Sequence, residues 1–391
     1  MTSKSTIGVI GAGTMGSGIA QVAAAAGHPV RLLDTRPEAV DKALASLEKT
    51  LQRLVEKGTL KDDAARALRD RITPARVVED LAGCDLVIEA IIEDLGVKKA
   101  LFQKVEAAVP VDALLATNTS SLSVTAIAAA CARPERFLCL HFFNPAPLLP
   151  LVEVVPGLAT DMAHITAAAD LMRAWGKTPV VCKDTPGFIV NRVARPFYGE
   201  SIRIYEEGLA DMPVIDEALR SAGGFRMGPF ELMDLIGNDI NFTVTRTVWE
   251  AFFYDPRYKP SFTQQRQVES GRLGRKTGRG YYTYADAAGV AKPTVEPAIA
   301  EQIVERVLAM LINEAADAVF WGVASAADID LAMTKGVNYP KGLLAWADER
   351  GAAHWLQVLE ALQHAYGEDR YRPSPLLRRA AEQGTSLYGR R

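Results

Sequence analysis

Residues 6–34 read TIGVIGAGTMGSGIAQVAAAAGHPVRLLD, and this stretch decides how the first part of the chain folds. A β-branched run leads into a glycine-rich turn, an alanine-rich helical segment and a second apolar run that ends at Asp34. The turn has the spacing GxGxxG. In that pattern Gly11 permits a tight turn, Gly13 leaves room for a pyrophosphate, and Gly16 lets helix pack on strand. The stretch therefore predicts a strand–turn–helix unit that binds a dinucleotide at the helix N-terminus.

The residues beside this turn indicate which dinucleotide is bound. Asp34 follows the turn by about the twenty residues that the motif requires, where a carboxylate accepts from a ribose 2′-hydroxyl and repels a 2′-phosphate. NAD is therefore the predicted cofactor. Arg36 is opposite in charge and is expected to cover the adenine face or lie in solvent. Thr14 and Met15, within the turn, are expected to line the same site.

Hydrophobic patterning divides the chain into a sheet-forming part and a helical part. Before Thr185-Pro186-Gly187, strand-like runs alternate with helical segments, which is typical of βαβ units and a mostly parallel sheet. Residues 39–71 are amphipathic and interrupted by Gly58, which predicts a helical hairpin. We therefore expect an α/β Rossmann-type NAD-binding domain over residues 1–184. The predicted strands are 6–10, 29–33, 86–91, 113–117, 137–140, 152–155 and 179–182.

The all-α part that follows is duplicated. Six residues recur at a constant spacing of 114, with no gap, and chance matches of common residues would not keep one register. We expect a first helical copy at 185–284 and a second at 298–391, joined by a short linker of small residues. The matching pairs are Arg192/Arg306, Gly208/Gly322, Asp216/Asp330, Gly228/Gly342, Asp234/Asp348 and Gly237/Gly351.

Composition narrows the class of protein. A formal net charge of -3 and the lack of a basic tract give no reason to expect nucleic acid or a membrane surface as a partner. The four cysteines are scattered, so neither a disulfide framework nor a metal site is expected. A strand pattern begins within a few residues of the start, which leaves no room for a signal peptide, and the predicted location is the cytoplasm.

His141 is the strongest candidate for a catalytic residue. It follows the apolar run 137–140 and is expected at the carboxyl end of a strand, where open α/β sheets bind ligands. Glu153 begins another predicted strand. A carboxylate on one imidazole nitrogen fixes the tautomer and supports positive charge while the other nitrogen takes a proton. The alternative is a structural histidine with a glutamate at the rim, but the placement at the ligand edge favours a general base.

Three further polar residues are candidates for the same edge. Ser120 lies in a polar run after a predicted strand and is a candidate to bond a substrate oxygen. The alternative explanation of the run is helix capping before Val124 by Ser121 or Ser123. Asn191 starts the helical part and is expected to face the cleft between domains. Glu93 is an unusual carboxylate after an apolar run and is expected near the nicotinamide.

Eight segments of the chain carry a resemblance to a known family. They are GAGTMGSGIAQVAAAAGH (11–28), NTSSLS (118–123), HFFNPAPLLPLVEVV (141–155), KDTPGFIVNR (183–192), MGPFELMDLIG (227–237), GRKTGRGYY (274–282), GVNYPKGLLAWAD (336–348) and RYRPSPLLRR (370–379). Together they resemble the 3-hydroxyacyl-CoA dehydrogenase family over nearly the whole chain. The second helical copy resembles bacterial members with a duplicated C-terminal domain, some of which act in phenylacetate-type degradation.

The resemblance implies an activity and roles for the residues. The enzyme would oxidise (3S)-3-hydroxyacyl-CoA to 3-oxoacyl-CoA with NAD, as in fatty-acid β-oxidation. His141 would be the base and Glu153 its partner, and Ser120 and Asn191 would bond the 3-oxygen and thioester region. Positions on the cofactor side would be Asp34, Glu93, Lys98, Asn118 and Asn144, and positions that touch coenzyme A would be Thr50 and Lys57.

The resemblance also bears on assembly and on rival functions. In single-copy relatives the helical domain is where two subunits meet, so this chain is expected to be a homodimer or a monomer whose two copies form a pseudo-dimer. Glu305 stands where the repeat register puts Asn191, and the second copy is expected to be structural. Two rival functions are a dehydrogenase of free hydroxy acids or sugar acids, and a non-catalytic dinucleotide-binding protein.

Overall fold

The computed structural model describes residues 5–284 and 292–388 and falls into two compact units, Met1–Phe188 and Ile189–Arg391. In the described part of the first unit, one sheet of eight strands forms the centre. The strands are Ile7–Ile10 (β1), Val30–Leu33 (β2), Ile72–Ala75 (β3), Leu86–Glu89 (β4), Leu114–Thr117 (β5), Phe137–Phe142 (β6), Leu151–Pro156 (β7) and Thr178–Val181 (β8).

The sheet has the order β3-β2-β1-β4-β5-β6-β7-β8. All neighbours are parallel except β6 and β7, which are antiparallel. The first six strands therefore have the doubly wound order of dinucleotide-binding folds, and the order reverses between β1 and β4. A ligand crevice is expected at the carboxyl ends of these two strands. The predicted α/β fold class is confirmed.

Helices connect the strands of this unit. The predicted helical hairpin is present as α2 and α3, separated by a turn in which Gly58 has a φ of +68°. Sequence analysis missed β3, because only Ile72 and Ala75 of its four residues are buried and the apolar signal is weak. The helices are Thr14–Ala25 (α1), Pro37–Glu56 (α2), Asp62–Asp70 (α3), Leu95–Ala108 (α4), Val124–Ala128 (α5) and Met162–Ala174 (α6).

The second unit is helical in its described residues, and none of the helices described in either unit is long and apolar enough to cross a membrane. The first copy contains Val190–Val193 (α7), Arg195–Glu206 (α8), Met212–Ser221 (α9), Pro229–Ile236 (α10), Asn238–Ala251 (α11) and Phe262–Glu269 (α12). The second copy contains Pro297–Phe320 (α13), Ala326–Gly336 (α14), Leu343–Arg350 (α15), Ala352–Tyr366 (α16) and Pro375–Gln383 (α17).

The two copies use the same local contacts. Asp216 accepts hydrogen bonds of 2.9 Å from the backbone amides of Phe230 and Glu231 near the start of α10. Asp330 accepts bonds of 2.8 and 2.9 Å from the backbone amides of Leu344 and Ala345 at the start of α15. A Cβ on Gly228 or on Gly342 would overlap the corresponding aspartate. The glycine and aspartate pairs of the sequence repeat therefore occupy equivalent structural positions.

The two copies differ locally in two ways, in the continuity of one helix and in the residue spacing of the repeat. Helix α13 is continuous where the first copy has α7 and α8, since Pro196 lacks the N–H that would continue the helix and Met310 has one. Beyond α11 and α16 the spacing shortens by one residue. Ser261 and Ser374, whose hydroxyls accept bonds at the starts of α12 and α17, are then counterparts.

Buried ion pairs join the two copies reciprocally. Arg192 of the first copy donates through Nε to Oε1 of Glu314 in the second at 2.5 Å. Arg306 of the second copy donates through Nε to Oε1 of Glu200 in the first at 2.6 Å. All four side chains are buried. Such an exchange of equivalent contacts is the pattern of a two-fold symmetric interface.

Tyrosines complete the same exchange. The hydroxyl of Tyr258 donates to Glu314 at 2.5 Å, and that of Tyr371 donates to Glu200 at 2.6 Å. Each glutamate thus accepts from an arginine and a tyrosine of the opposite copy. Burial raises the pKa of Glu314, but Arg192 and the other nearby cation and hydroxyl outweigh burial and hold that pKa below its usual value.

A first prediction concerns the stability of this interface. Glu314→Gln removes the negative charge between buried arginines, and we expect the free energy of unfolding to fall by about 3–5 kcal/mol. Urea titration followed by circular dichroism measures it. The control is Glu360→Gln, which breaks the exposed pair with Arg378 and should cost about 0–1 kcal/mol. Equal losses in the two variants would contradict the prediction.

Candidate active site

The glycine-rich turn after β1 leaves the start of α1 open. Gly11 has a φ of +103°, and a Cβ there would lie 2.5 Å from the carbonyl oxygen of Ala90. A Cβ on Gly16 would lie 1.7 Å from the carbonyl oxygen of Gly11, so only glycine lets the helix approach the turn. Gly13 begins the helix, and no atom lies within 4 Å of the place its Cβ would take. Helix amides facing open space fit a pyrophosphate.

Asp34 holds the other side of this turn. At the end of β2 its Oδ2 accepts from the amide of Ala12 at 2.8 Å, and its Oδ1 accepts from the amide of Arg36 at 3.0 Å. The Arg36 side chain is 73% exposed and lies in solvent. Thr14 and Met15 form the first turn of α1. A carboxylate fixed beside the helix N-terminus, with lone pairs to spare, fits the ribose hydroxyls of NAD.

His141 and Glu153 face each other across two strands. In the antiparallel register of β6 and β7 they are directly opposite, which puts their side chains on one face of the sheet. Nδ1 of His141 lies 2.6 Å from Oε2 of Glu153. His141 lies at the carboxyl end of β6, as expected, although the strand extends through it to Phe142. Cross-strand pairing, rather than two neighbouring strand ends, brings the two residues together.

Aromatic side chains surround the imidazole. The ring centroid lies 4.4 Å from that of Phe143 and 5.9 Å from that of Phe188, and His141 is 5% exposed. Among the residues that the structure describes, 5–284 and 292–388, none forms a hydrogen bond with Nε2 of His141. With the Nδ1 proton donated to a carboxylate, Nε2 carries the lone pair. Oδ1 of Asn118 accepts from the amide of Phe142 at 2.8 Å and fixes the strand end beside the ring.

Glu93 organises the loop that carries Ser120. Its Oε1 accepts from the Thr119 hydroxyl at 2.6 Å, the Ser120 amide at 2.9 Å and the Ser121 hydroxyl at 3.0 Å. Burial raises the pKa of Glu93, but the ammonium of Lys98, 3.4 Å away, and these donors together hold it below its usual value. The predicted residues Glu93, Lys98 and Ser120 therefore lie in one hydrogen-bonded cluster.

Sequence reasoning missed Glu89, which anchors this cluster. It is fully buried at the end of β4, and Nζ of Lys98 donates to its Oε1 at 2.5 Å. The Thr117 hydroxyl and the Ile91 amide donate to it at 2.7 Å each. The available signal was a single carboxylate within the apolar run 86–92. A glutamate in an otherwise apolar strand must be paired if it is buried.

The remaining candidates lie on exposed or half-buried surfaces. Asn144 is exposed in the turn between β6 and β7. Thr50 is exposed on α2, where its hydroxyl donates to the carbonyl of Ser46, and Lys57 is exposed at the end of that helix. Asn191 is half-buried in α7 of the second unit. Within the first unit, His141 thus meets Glu153, and Glu93, Lys98 and Ser120 meet in a separate cluster.

A doubly wound sheet with an open glycine-rich turn and an acidic residue at the end of β2 defines an NAD-dependent oxidoreductase. Residues 6–185 match the family model described as 3-hydroxyacyl-CoA dehydrogenase, NAD binding domain. Residues 187–284 and 303–388 each match its C-terminal domain. The chain belongs to the 3-hydroxyacyl-CoA dehydrogenase family, and its substrate is an acyl-CoA.

Individual relatives agree with this. The chain is 42% identical to 3-hydroxyadipyl-CoA dehydrogenase of Escherichia coli K12, over 97% of this chain and 98% of that protein. It is 40% identical to human mitochondrial hydroxyacyl-coenzyme A dehydrogenase, over 71% of this chain and 90% of that one. A crystal structure of 3-hydroxybutyryl-CoA dehydrogenase from Escherichia coli K12 superposes with a TM-score of 0.93 at 41% identity, covering 97% and 98% of the two chains.

A second prediction concerns cofactor preference. Asp34→Ala removes the acceptor for a ribose hydroxyl and the charge that repels a 2′-phosphate, so the NAD-to-NADP ratio of kcat/KM should fall by about 10- to 100-fold. Steady-state assays with both cofactors measure it. Asp41→Ala, on the exposed side of α2, is the control and should leave the ratio unchanged. A wild-type enzyme that uses NADP as well as NAD would show that Asp34 has another role.

Proposed function

We propose that His141 is the general base that removes the hydroxyl proton of (3S)-3-hydroxyacyl-CoA. The observation that carries this is the buried pair of His141 and Glu153, 2.6 Å apart. Oxidation of the alcohol removes a proton from oxygen and a hydride from C3, and NAD held at the start of α1 supplies the hydride acceptor. Nε2 of His141 takes the proton, and the Glu153 carboxylate stabilises the resulting imidazolium.

The residues around the base position the alcohol and exclude water. Phe143 and Phe188 flank the imidazole and shield it from solvent, which strengthens its interaction with Glu153. We assign the hydroxyl of Ser120 to the substrate's 3-oxygen, since Glu93 holds the backbone of that loop in place. The amide of Asn191 is assigned to the thioester side of the substrate, on the strength of the family resemblance.

Other polar groups are assigned to the cofactor and to coenzyme A. Glu93, Lys98, Asn118 and Asn144 are assigned to the nicotinamide side. The buried ammonium of Lys98 is neutralised by Glu89, so its position is fixed before NAD binds. Thr50 and Lys57 are assigned to coenzyme A: both are exposed near the end of α2, and the charge of Lys57 suits a phosphate.

The names of the relatives indicate the length of the acyl chain. One acts on a 3-hydroxyadipyl thioester and others on 3-hydroxybutyryl thioesters, and we propose a short acyl chain for this enzyme too. Activity with thioesters but not with the free hydroxy acids separates this function from that of a hydroxy-acid dehydrogenase. The four cysteines are buried and unbonded, which fits a reducing compartment, and we propose the cytoplasm.

For the assembly we propose a monomer in which the second helical copy takes the place of a partner subunit. The reciprocal pairs of Arg192 with Glu314 and of Arg306 with Glu200 support this, because each copy supplies the same groups to the other. We propose three domains along the chain, 1–184, 185–284 and 298–391, with the last two forming this pseudo-dimer. The second copy has Glu305 in place of Asn191 and is assigned a structural role.

A third prediction tests the base. His141→Ala should lower kcat by about 10²- to 10⁴-fold and leave NADH affinity unchanged in a fluorescence titration. His164→Ala, on α6, is the control and should keep full activity. NADH affinity that falls in step with activity would identify His141 as a structural residue.

A fourth prediction tests the assembly. Light scattering should give the mass of one chain for the intact protein. A chain that ends at residue 284 exposes the apolar face of α8 that otherwise packs on α13, and it should dimerise or precipitate. An intact protein that dimerises would show exchange of copies between chains. A truncated protein that stays monomeric and soluble would overturn the proposal that the second copy covers a dimerisation surface.

A further inference from the structure

A buried arginine in the first helical copy has no carboxylate partner. Arg195 is 7% exposed; its Nε donates to the backbone oxygen of Asn191 at 2.9 Å, and its Nη1 donates to the hydroxyl of Thr245 at 3.1 Å. The guanidinium carbon lies 4.9 Å from the centroid of the Tyr198 ring. No ion pair of Arg195 is present among residues 5–284 and 292–388. Burial lowers the pKa of the Arg195 guanidinium.

The neighbours of Arg195 are also buried and polar, and we call Arg195, Asn241, Thr245 and Gln264 the Arg195 cluster. Nε2 of Gln264 donates to Oδ1 of Asn241 at 2.7 Å and reaches Oγ1 of Thr245 at 3.4 Å. Nδ2 of Asn241 is buried and has no hydrogen-bond partner in the described chain. The cluster therefore holds a buried amide nitrogen without an acceptor and a buried guanidinium without a carboxylate partner.

The other buried arginines of this unit are compensated. Each reaches a carboxylate: Arg192 and Arg257 reach Glu314, Arg306 reaches Glu200, and Arg370 reaches Glu368. A buried charge without a counter-ion costs stability, and so does a buried N–H without an acceptor. Arg195 is thus an exception within its own unit.

The second copy shows that the fold does not require these polar groups. The counterparts of the cluster in α13, α16 and α17 are Ala309, Trp355, Leu359 and Leu377. Each is at most 1% exposed, so the same place in the second copy is an ordinary apolar core. The cluster therefore has a role that only the first copy performs, and the first copy is the one that carries Asn191.

We infer that the Arg195 cluster binds a carboxylate at the far end of the substrate's acyl chain, so that the enzyme prefers a 3-hydroxy dicarboxylic acyl-CoA. This rests on the proposed function, in which Asn191 contacts the substrate. Arg195 follows Asn191 by one helical turn, which is roughly 5.4 Å along the axis. In a six-carbon dicarboxylic chain the carboxylate carbon, C6, lies three bonds from C3, a distance of the same order as one helical turn. A carboxylate accepts from the Asn241 amide and neutralises the guanidinium.

Paired substrates of equal length test this inference. The ratio of kcat/KM for (3S)-3-hydroxyadipyl-CoA to that for (3S)-3-hydroxyhexanoyl-CoA isolates the carboxylate, and in the wild type it should exceed about ten. Arg195→Met should lower the ratio by about 10- to 100-fold, chiefly through a higher KM for the adipyl substrate. Arg195→Lys should lower it less, since it keeps the charge without the planar fork. Arg246→Met removes an exposed arginine beside Thr245 and should leave the ratio unchanged.

Thermal unfolding separates a binding role from a structural one. Without ligand, Arg195→Met should keep or raise the Tm, because it removes a buried charge that has no partner. Gln264→Leu introduces leucine, the residue that Leu377 supplies at the equivalent position of the second copy. This variant should remain folded and should also lower the adipyl-to-hexanoyl ratio of kcat/KM. A lower Tm for Arg195→Met together with an unchanged substrate ratio would overturn the inference. A wild type that oxidises hexanoyl and adipyl substrates equally would overturn it while leaving the proposed function standing, whereas inactivity on every thioester would overturn that function first.

Discussion

The antiparallel register of β6 and β7 is the constraint on which the candidate active site depends. A slip of one residue would move Glu153 to the opposite face of the sheet and leave the buried imidazole of His141 without its acceptor. The connecting turn is held from outside the hairpin. Lys177 donates through Nζ to the carbonyl oxygens of Ala146 and Leu149 at 2.5 and 2.9 Å. The geometry of the proposed catalytic pair is thus built into backbone pairing, and side-chain contacts only reinforce it.

The sequence was sufficient for the sheet and most of its strands, since glycine spacing and hydrophobic period are local signals. It failed at β3, where two exposed positions break the apolar pattern. The contact between His141 and Glu153 was predicted for an incomplete reason, because pattern alone does not distinguish two strand ends from two strands paired antiparallel. The role of Glu93 as acceptor for a whole loop, and the existence of Glu89 beneath it, depend on contacts between segments distant in sequence.

Arg195 illustrates a different limit of sequence reasoning. An arginine in an amphipathic helix is normally read as a solvated charge, because most arginines keep the guanidinium in water. In the structure the side chain lies inside, where it donates to the Thr245 hydroxyl of α11, which Gln264 of α12 also reaches. Within this one chain the repeat supplies the comparison that identifies it as unusual: equivalent positions of the second copy are filled by alanine, leucine and tryptophan.

The reciprocal pairs of Arg192 with Glu314 and of Arg306 with Glu200 have a consequence for how this protein evolves. In a symmetric dimer of identical subunits every substitution appears twice, so its energetic effect at the interface is doubled. Here each half of the interface is encoded separately, and a change in one half leaves the other intact. One half is then free to specialise in chemistry, at some cost in stability, while its twin keeps the apolar core that holds the pair together.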